Sequence, residues 1–330
     1  MKKSLFFLLI MIFTVQIFSQ KFLIPIENSY ITSSFGEYRD TGNKPHFHTG
    51  IDFSSFARVG YPVKSADDGY VYKIWLNNKI YGNTIFIYHP NYDIISVYAH
   101  LSAFNNIVDN IANSTRNEFG DTFTEIIFPE NEIMVSRGEV IGFSGKSGEA
   151  TVPNVHFEIR KIIKSGNKNT EIIKDAIEFV DYTELREKKL MALKIRSGKN
   201  TIELKENELV EIPFYTIPKL EVNILQFLGK NTRIIPKSIS LKINDELIYK
   251  IEFDQIRQDE MYSPGLVFGH GSTIFNYWIK LYSSSNITPI KVNRWNEILF
   301  DLGNKALAEL ILEDMWGNIK TYKLILKKES

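Results

Sequence analysis

The chain has 330 residues, of which 44% are hydrophobic and 13% aromatic. This composition can fill the cores of two domains of ordinary size and is not that of a disordered chain. Lys and Arg together number 39, as do Asp and Glu, so the formal net charge is zero. We therefore expect no partner among nucleic acids or anionic membranes.

The first 19 residues predict a signal peptide. Lys2 and Lys3 form a short positive region, residues 4–18 are almost continuously apolar, and the small residue Ser19 precedes polar sequence. This order is typical of a cleaved export signal, with the cut near Ser19 and Gln20. An uncleaved anchor is the alternative, but the apolar stretch is short for a hydrocarbon core of about 30 Å. We expect a periplasmic or secreted protein that has no stable membrane span after cleavage.

Cysteine is absent from the chain. An exported protein without disulfides has to be stabilised by its core, or partly by a metal ion. The same absence excludes a thiol nucleophile, a thiolate metal site and a lipid-modified cysteine at the mature N-terminus. A metal site in this chain would therefore use His, Asp or Glu side chains.

Residues 20–170 predict an all-β domain. Short runs of β-branched and aromatic residues alternate with glycines, and only residues 103–111 show a weak helical periodicity. Close spacing with glycine turns is typical of an antiparallel sheet or sandwich. The predicted strands lie at 69–75, 84–88, 94–98, 140–143 and 155–159.

The remainder of the chain predicts a connection and a second β domain. Residues 171–190 are charged and free of glycine, which favours a linker or a packing helix. Residues 191–330 fit an immunoglobulin-like β-sandwich with turn sequences at 244–245 and 316–318. We interpret this block as a spacer, or as a docking module for an envelope protein partner, without chemistry of its own. Its predicted strands lie at 209–214, 220–227, 239–243, 247–253, 274–281 and 322–326.

His48 and Asp52 form the first candidate for a metal site. On a straight strand, the Cα atoms of residues four apart are about 13 Å apart. A zinc ion, however, needs a His nitrogen and an Asp oxygen that are each about 2.0–2.2 Å away. The chain between the two residues must therefore bend, and we expect Gly50 to supply the conformational freedom for that bend.

The segment 153–160 alternates in polarity as a strand does. Asn154, His156 and Glu158 share one face, and the residues between them are apolar and point to the core. His100 ends another predicted strand and is followed by a loop. Taken alone, each of these histidines is more often a satisfied core or surface residue than a ligand.

The order of these motifs resembles the LytM/lysostaphin-type zinc endopeptidases of the β-lytic class. The resemblance spans roughly residues 30–160 and implies that His48, Asp52 and His156 bind one zinc ion. Three protein ligands leave a fourth position for water, as in catalytic sites. The resemblance also implies that His100 stabilises an oxyanion or transfers a proton. The matching segments are SSFG at 33–36, HFHTGIDF at 46–53, DGYV at 68–71, YAHL at 98–101, RGEVIGFSGKSG at 137–148 and VHFEIR at 155–160.

One position departs from the family. The family has a further site histidine two residues before the last ligand, and this chain has Asn154 there. Asn can orient a water or a substrate, but it does not titrate near neutral pH. If that histidine is the general base, its loss costs a factor of about 10²–10⁴ in rate. His46, His89 and Glu158 are the candidates to replace it.

Two functional hypotheses follow. The first is a zinc metalloendopeptidase that hydrolyses peptide cross-links of peptidoglycan, acting on stem peptides or cross-bridges with His100 and Asn154 in catalytic roles. The second is a zinc-binding but inactive module that binds peptidoglycan or activates a partner hydrolase. A phosphate-binding loop at 145–147 is excluded because Val140 stands where that motif requires Gly.

Overall fold

The protein is described by a computed structural model over residues 21–41, 44–165, 168–215, 218–298 and 302–329. The predicted signal peptide, residues 1–19, lies outside these residues. Most of the described chain is strand, and all sheets are antiparallel apart from one parallel pair in the second half. The all-β fold class predicted from the sequence is confirmed. Among the described helices, none has both the length and the apolar character needed to cross a membrane.

The N-terminal half is built around one large sheet with the strand order β1-β4-β13-β8-β7-β6-β10. A smaller sheet, β5-β12-β9, and the two-stranded ribbon β2-β3 flank it. All five strands predicted here are present, most of them a few residues longer than expected. The strands are β1 (Ile31–Ser33), β2 (Tyr38–Arg39), β3 (His46–Phe47), β4 (Ile51–Ser54), β5 (Pro62–Lys64), β6 (Gly69–Asn78), β7 (Gly82–His89), β8 (Ile94–Leu101), β9 (Ala103–Phe104), β10 (Thr124–Ile127), β11 (Met134–Val135), β12 (Val140–Phe143), β13 (Asn154–Ser165) and β14 (Lys168–Lys174).

A single long helix, α1 (Asn106–Phe119), interrupts this half. Asn105 caps it, because its side chain accepts a hydrogen bond from the Val108 N–H. Val108 and Ala112 bury its narrow apolar side. The weak periodicity at 103–111 therefore indicates a real helix, but its first residues belong to β9 and its last turn lies beyond the predicted range.

Residues 171–190 do not form the predicted packing helix. Strand β14 continues to Lys174 and pairs with β13, since Ile172 and Ile173 are β-branched and both are buried. A short 3-10 helix follows at Ala176–Glu178, and an extended segment leads to strand β15 (Lys188–Ser197). The connection is thus part of the sheet and not a separate helical linker.

Asp175 begins that 3-10 helix, and it makes stability dependent on pH. Its side chain is buried and accepts a hydrogen bond from the Ile177 N–H at 3.1 Å. Burial raises its pKa to about 7. The folded protein therefore binds this proton more tightly than the unfolded chain does. The contribution of Asp175 to stability is fully present below pH 4 and is lost as the pH rises through 7.

We expect Asp175→Asn, which keeps the capping oxygen, to stabilise the protein at high pH. The free energy of unfolding should rise by up to about 4 kcal/mol at pH 8, and the gain should shrink toward zero near pH 4. Urea unfolding at pH 8 and pH 4.5 measures the difference. A gain that is equal at both pH values would contradict a buried, protonated Asp175.

The C-terminal half contains two sheets around a shared apolar core. One has the order β16-β15-β18-β19 with β23 on β18, and the other has the order β17-β26-β25-β20-β21-β24. Two packed sheets agree with a sandwich, and the immunoglobulin-like assignment remains a prediction. A short helix, α2 (Trp295–Ile298), follows β24. The strands are β15 (Lys188–Ser197), β16 (Asn200–Glu203), β17 (Leu209–Phe214), β18 (Leu220–Leu228), β19 (Thr232–Ile234), β20 (Ser238–Ile243), β21 (Glu246–Glu252), β22 (Gln255–Arg257), β23 (Tyr277–Lys280), β24 (Ile290–Asn293), β25 (Lys305–Glu313) and β26 (Ile319–Lys328).

The two halves are joined by more than the chain that connects them. Strand β22 of the second half pairs with β14 at the edge of the large N-terminal sheet. Gly36 has φ +83°, and a Cβ there would lie 2.5 Å from the ring of Phe253 in the second half. The Ile235 N–H also donates to the Ser34 hydroxyl at 3.1 Å. This close packing does not fit an independent spacer.

Candidate metal centre and substrate groove

Three side chains converge where β4 pairs with β13. His156 lies directly opposite Asp52 in this antiparallel pair, so their side chains share one face. His48 stands just before β4. The His48 Nε2, Asp52 Oδ1 and His156 Nδ1 atoms lie 2.9–3.1 Å from one another, and all three residues are buried. The structure therefore brings the three predicted ligands together as a group that could hold a metal ion.

The hydrogen bonds behind the two imidazoles fix how they face the centre. His48 Nδ1–H donates to the Ser34 carbonyl at 2.7 Å, and His156 Nε2–H donates to Glu158 Oε1 at 2.9 Å. The second nitrogen of each ring then faces Asp52 Oδ1. Atoms of this kind lie so close together only when a proton or a metal ion lies between them. Two imidazole nitrogens and one carboxylate oxygen fit a zinc-type ligand set.

Glu158 orients His156 by accepting a hydrogen bond from its imidazole ring. Its Oε1 also accepts from the Thr49 hydroxyl at 2.6 Å and from the Tyr81 hydroxyl at 2.9 Å. Its Oε2 accepts from Arg160 Nε at 2.5 Å. Burial alone would raise the pKa of Glu158, but Arg160 and His156 lower it to about 2. Glu158 is therefore an anchored carboxylate whose acceptor sites are used.

The carboxylates of this network give the candidate metal centre a negative electrostatic potential. Burial alone would lower the pKa of His156, but the carboxylates of Asp52 and Glu158 raise it to about 9. The place of Glu158 on this face was predicted from the sequence, whereas the roles of Arg160, Tyr81 and Thr49 were not. For Arg160 a sequence signal existed, because residues 154, 156, 158 and 160 are all polar on one strand face.

Gly50 has a role different from the predicted one. Its backbone is not in the left-handed region, so the bend between His48 and Asp52 does not require glycine for its φ angle. Space is the reason for glycine here. A Cβ at position 50 would lie 2.6 Å from the Phe157 carbonyl oxygen and 2.7 Å from His156 Nε2. The glycine makes room for the candidate ligand His156.

We expect Gly50→Ala to displace His156 and to weaken metal binding. The added methyl group would compete with the hydrogen bond between His156 and Glu158, and losing such a supporting contact costs about 10–100-fold in metal affinity. Competition with a chelator measures this affinity. Gly265→Ala is the matched control, because a Cβ there meets nothing within 4 Å. Equal affinity in both variants would show that the space at Gly50 is not needed.

A second buried network supports the opposite side of the centre. Glu37 Oε1 accepts from the Ser34 N–H at 2.5 Å and from the Ser34 hydroxyl at 2.9 Å. Arg39 Nη1 donates to Glu37 Oε2 at 2.7 Å, and its Nη2 lies 3.8 Å from Asp52 Oδ2. Tyr277 of the second half interacts with both Glu37 and Arg39. These residues, which the sequence analysis missed, fix Ser34 and hence the ring of His48.

His100 lies beside the centre, with its ring centroid 5.7 Å from that of His156. Its φ of +64° is left-handed, which is uncommon for a residue other than glycine. Regular alternation along β8 would turn this side chain away from His156, whose strand partner is Ala99. His100 Nδ1–H donates to the Ser147 carbonyl at 2.8 Å, and burial lowers the pKa of His100 to about 4. The ring is therefore neutral, and Nε2 carries the lone pair.

Asn154 lines the same cavity as the three candidate ligands. It is 6% exposed, and its Oδ1 is buried with no hydrogen-bond partner within the described ranges. Buried polar atoms in native proteins are rarely without a partner. Asn154 Oδ1 is therefore an acceptor available to a ligand of this site.

The three residues considered as replacements for the missing histidine differ in position. His46 lines the cavity, and its Nε2 lies 4.0 Å from Glu149 Oε2. His89 is fully buried between the Asp68 carbonyl and the Ser96 hydroxyl, which makes it structural. Glu158 is fully buried behind His156. Of the three, only His46 faces the cavity.

The cavity is a groove of about 960 Å³, and both halves of the chain line it. The first half contributes the metal-ligand group together with Arg39, His46 and Tyr81. The second half contributes a wall on the far side. The residues of that wall are Asn231, Thr232, Arg233, Met261, Ile274 and Phe275. His270, predicted to be a loop residue, is exposed and lies outside the groove lining.

Comparison with known proteins shows similarity to peptidases. The model of peptidase family M23 matches residues 46–113. The DD-carboxypeptidase/endopeptidase Mpg of Neisseria meningitidis is 33% identical over 138 residues, which is 41% of this chain and 25% of that protein. The glycyl-glycine endopeptidase ALE-1 of Staphylococcus capitis is 31% identical over 123 residues, which is 37% of this chain and 26% of that protein. The aligned part thus spans about a quarter of the length of these relatives.

Among solved structures, the catalytic domain of lysostaphin from Staphylococcus simulans is similar over 47% of this chain and 94% of that chain. The identity is 23% and the TM-score is 0.32.

A β domain that presents two imidazole nitrogens and a carboxylate oxygen in an open groove has the architecture of a metallopeptidase. Residues 46–113 match the model of peptidase family M23, and the chain is similar to LytM/lysostaphin-type peptidases over about two fifths of its length. The resemblance predicted from the sequence is confirmed.

Proposed function

We propose that the protein is an exported zinc endopeptidase that hydrolyses peptide cross-links of bacterial peptidoglycan. The observation that carries this proposal is the set of three potential ligand atoms, from His48, Asp52 and His156, that converge beside a groove large enough for a peptide. The names of the similar proteins, an endopeptidase Mpg and a glycyl-glycine endopeptidase, support the same class of reaction. Export would use residues 1–19 as the signal peptide.

His48 Nε2, Asp52 Oδ1 and His156 Nδ1 would hold the zinc ion. When bound, zinc supplies a Lewis acid for the hydrolysis of an amide bond. The protein contributes the orientation of these ligands, because Ser34 and Glu158 fix both imidazole rings from behind. Oriented ligands keep their geometry without rearrangement when a peptide enters the groove.

His100 is the candidate for proton transfer. Its Nδ1–H is held by the Ser147 carbonyl, so its Nε2 can accept a proton from an attacking water. This tautomer favours proton transfer over stabilisation of an oxyanion, which would need an N–H donor at Nε2. Of the two roles that the resemblance implies for His100, we propose proton transfer.

Asn154 is the candidate for orientation. Its Oδ1 can accept a hydrogen bond from a water or from a peptide N–H of the substrate. The amide does not titrate near neutral pH, so it cannot replace a general base. His100 therefore has to supply the proton-transfer step alone, or with His46, which faces the same groove.

The second candidate function is a zinc-binding module without hydrolytic activity that binds peptidoglycan or activates a partner hydrolase. Asn154 is the observation that favours it. The retained ligand group and the intact networks around Ser34 and Glu158 favour the enzyme. A module without turnover has no need for an open fourth position on a metal.

Digestion of cross-linked peptidoglycan tests the proposal. The zinc-loaded protein that begins at residue 20 should release new amino groups, and His48→Ala should release none above background. If the wild-type protein is silent and Asn154→His cleaves, the endopeptidase proposal is wrong and the inactive module is the better account. If the wild-type protein cleaves equally well after removal of zinc, the metal role is wrong.

A further inference from the structure

We propose that the second half of the chain forms the specificity wall of the substrate groove, and that Arg233 and Phe275 recognise a peptide with side chains and a carboxylate. Oligoglycine, which has neither, is the substrate that this wall disfavours. The inference rests on the proposed function, because it concerns the occupant of the same groove.

The position of the wall is the first observation. Arg233 in the middle of β19 and Phe275 in the turn before β23 line the same cavity as His48 and His156. A peptide that reaches the metal-ligand group from this side has to pass them. The second half thus borders the site directly, in contrast to the predicted role as a module without part in the chemistry.

The turn that presents Phe275 is held in place. The Thr273 N–H donates to the Asn276 carbonyl at 2.8 Å, and the Asn276 N–H donates back at 3.1 Å. Asn276 Oδ1 accepts from Asn223 Nδ2 of β18 at 2.7 Å. Ile274 and Phe275 therefore stand at the tip of a turn that is anchored to the sheet.

Phe275 is a large apolar side chain left in solvent at the edge of this groove. It is 62% exposed. An exposed aromatic ring on a fixed turn loses little conformational entropy when it packs against a ligand. Such a ring can pack against the methyl and methylene groups of a peptide side chain, but glycine offers it neither.

Arg233 supplies a charge next to the turn that carries Phe275. Its Nη1 donates to the Phe275 carbonyl at 2.5 Å, which orients the guanidinium along the turn. Within the described parts of the chain, Arg233 has no carboxylate within ion-pair distance, whereas Arg196 of the same half is paired with Glu221. Its Nε and Nη2 are left to bind a planar carboxylate in the two-pronged way that guanidinium favours.

The two contacts together define the chemistry of the substrate. A stem-peptide cross-link carries alkyl side chains and free carboxylates along its length. A polyglycine bridge has no side chains and no internal carboxylate. The wall therefore favours cleavage within or next to stem peptides over cleavage within glycyl bridges.

Binding and kinetics with three synthetic peptides test the inference on the full mature chain with zinc. The first peptide is a cross-linked stem peptide, the second is the same peptide with its carboxylates amidated, and the third is pentaglycine. Fluorescence anisotropy gives the affinity, and steady-state hydrolysis gives KM and kcat separately. The variants are Arg233→Gln and Phe275→Ala. Arg116→Gln and Phe119→Ala on α1 are the controls, since neither residue lines the groove.

We expect Arg233→Gln to weaken binding of the stem peptide about tenfold, as for loss of a hydrogen bond to a charged group. It should leave the affinity for the amidated peptide almost unchanged. Phe275→Ala should weaken binding of both stem peptides by a similar factor. In hydrolysis, KM should rise while kcat stays constant, and the controls should behave as the wild type does.

The outcomes distinguish a failure of the proposed substrate recognition from a failure of the proposed hydrolase activity. If the wild-type protein cleaves the stem peptide and neither groove variant changes its affinity, the proposed recognition by Arg233 and Phe275 is wrong, whereas the proposed hydrolase activity is supported. If binding depends on Arg233 and Phe275 but no peptide is cleaved, the proposed recognition is supported and the proposed hydrolase activity is wrong. Binding of pentaglycine as tight as that of the stem peptide would also overturn the inference.

Discussion

Replacing Asp52 by Asn is expected to abolish zinc binding at micromolar metal and with it all hydrolysis. Asp52 Oδ1 supplies the single negative charge among the three candidate ligands and lies about equally far from both imidazole nitrogens, at 3.1 and 3.0 Å. The amide keeps the shape but removes the charge that a divalent cation requires. The loss of affinity should therefore exceed the roughly 10–100-fold effect of losing a supporting residue.

Chelator competition measures the zinc affinity of Asp52→Asn. The control is Asp93→Asn, because the Asp93 side chain is 66% exposed and its Lys161 partner lies 3.9 Å away. The control should bind zinc as the wild type does. If the Asp52→Asn protein bound zinc with wild-type affinity, the proposed zinc site at Asp52 would be wrong.

Replacing Glu158 by Ala is expected to damage both the fold and the metal centre. Arg160 is 1% exposed, and without Glu158 its guanidinium loses its nearest carboxylate in the interior. Breaking a buried pair in this way costs about 3–5 kcal/mol of folding free energy. His156 loses the acceptor that fixes its tautomer, so zinc affinity should fall about 10–100-fold as well.

Glu158→Gln separates these two effects. The amide keeps an acceptor oxygen and the volume of the side chain, so we expect a smaller loss of stability but a clear loss of zinc affinity. Urea unfolding of the metal-free proteins and chelator competition give the two quantities independently. If Glu158→Ala lowers stability but leaves the zinc affinity of the folded protein unchanged, Glu158 is only structural and does not support the ligand His156.

The elements that locate the metal centre could be predicted from the sequence. Strand β13 alternates so regularly that the shared face of Asn154, His156 and Glu158 was evident without the structure. The predicted strands of the first half were all present. Local pattern was sufficient here because period-two alternation is itself the physical requirement of a strand with one buried face.

The details that shape the centre could not be predicted. The position of His100 depends on its left-handed backbone, which overrides strand alternation and has no signature in the residue type. The need for glycine at position 50 comes from the approach of Phe157 and His156, which lie more than 100 positions along the chain. Such contacts are set by the pairing of β4 with β13 and not by the local sequence.

The role of the second half also could not be predicted from local sequence patterns. Its strands predicted a separate sandwich, but β22 completes the edge of the first sheet and Tyr277 reaches the network beside Asp52. Arg233 and Phe275 are more than 70 positions from His156 and carry no motif. Their place in the groove follows only from how the two halves pack, which long-range contacts decide.

The most direct test of the metal centre is a crystal structure of the zinc-loaded mature chain with anomalous diffraction at the zinc absorption edge. We predict one zinc ion bound by His48 Nε2, His156 Nδ1 and the Asp52 carboxylate, with His100 and Asn154 facing the coordination position that these three residues leave open. An anomalous peak elsewhere, or none at these three residues in crystals grown with zinc, would contradict this prediction.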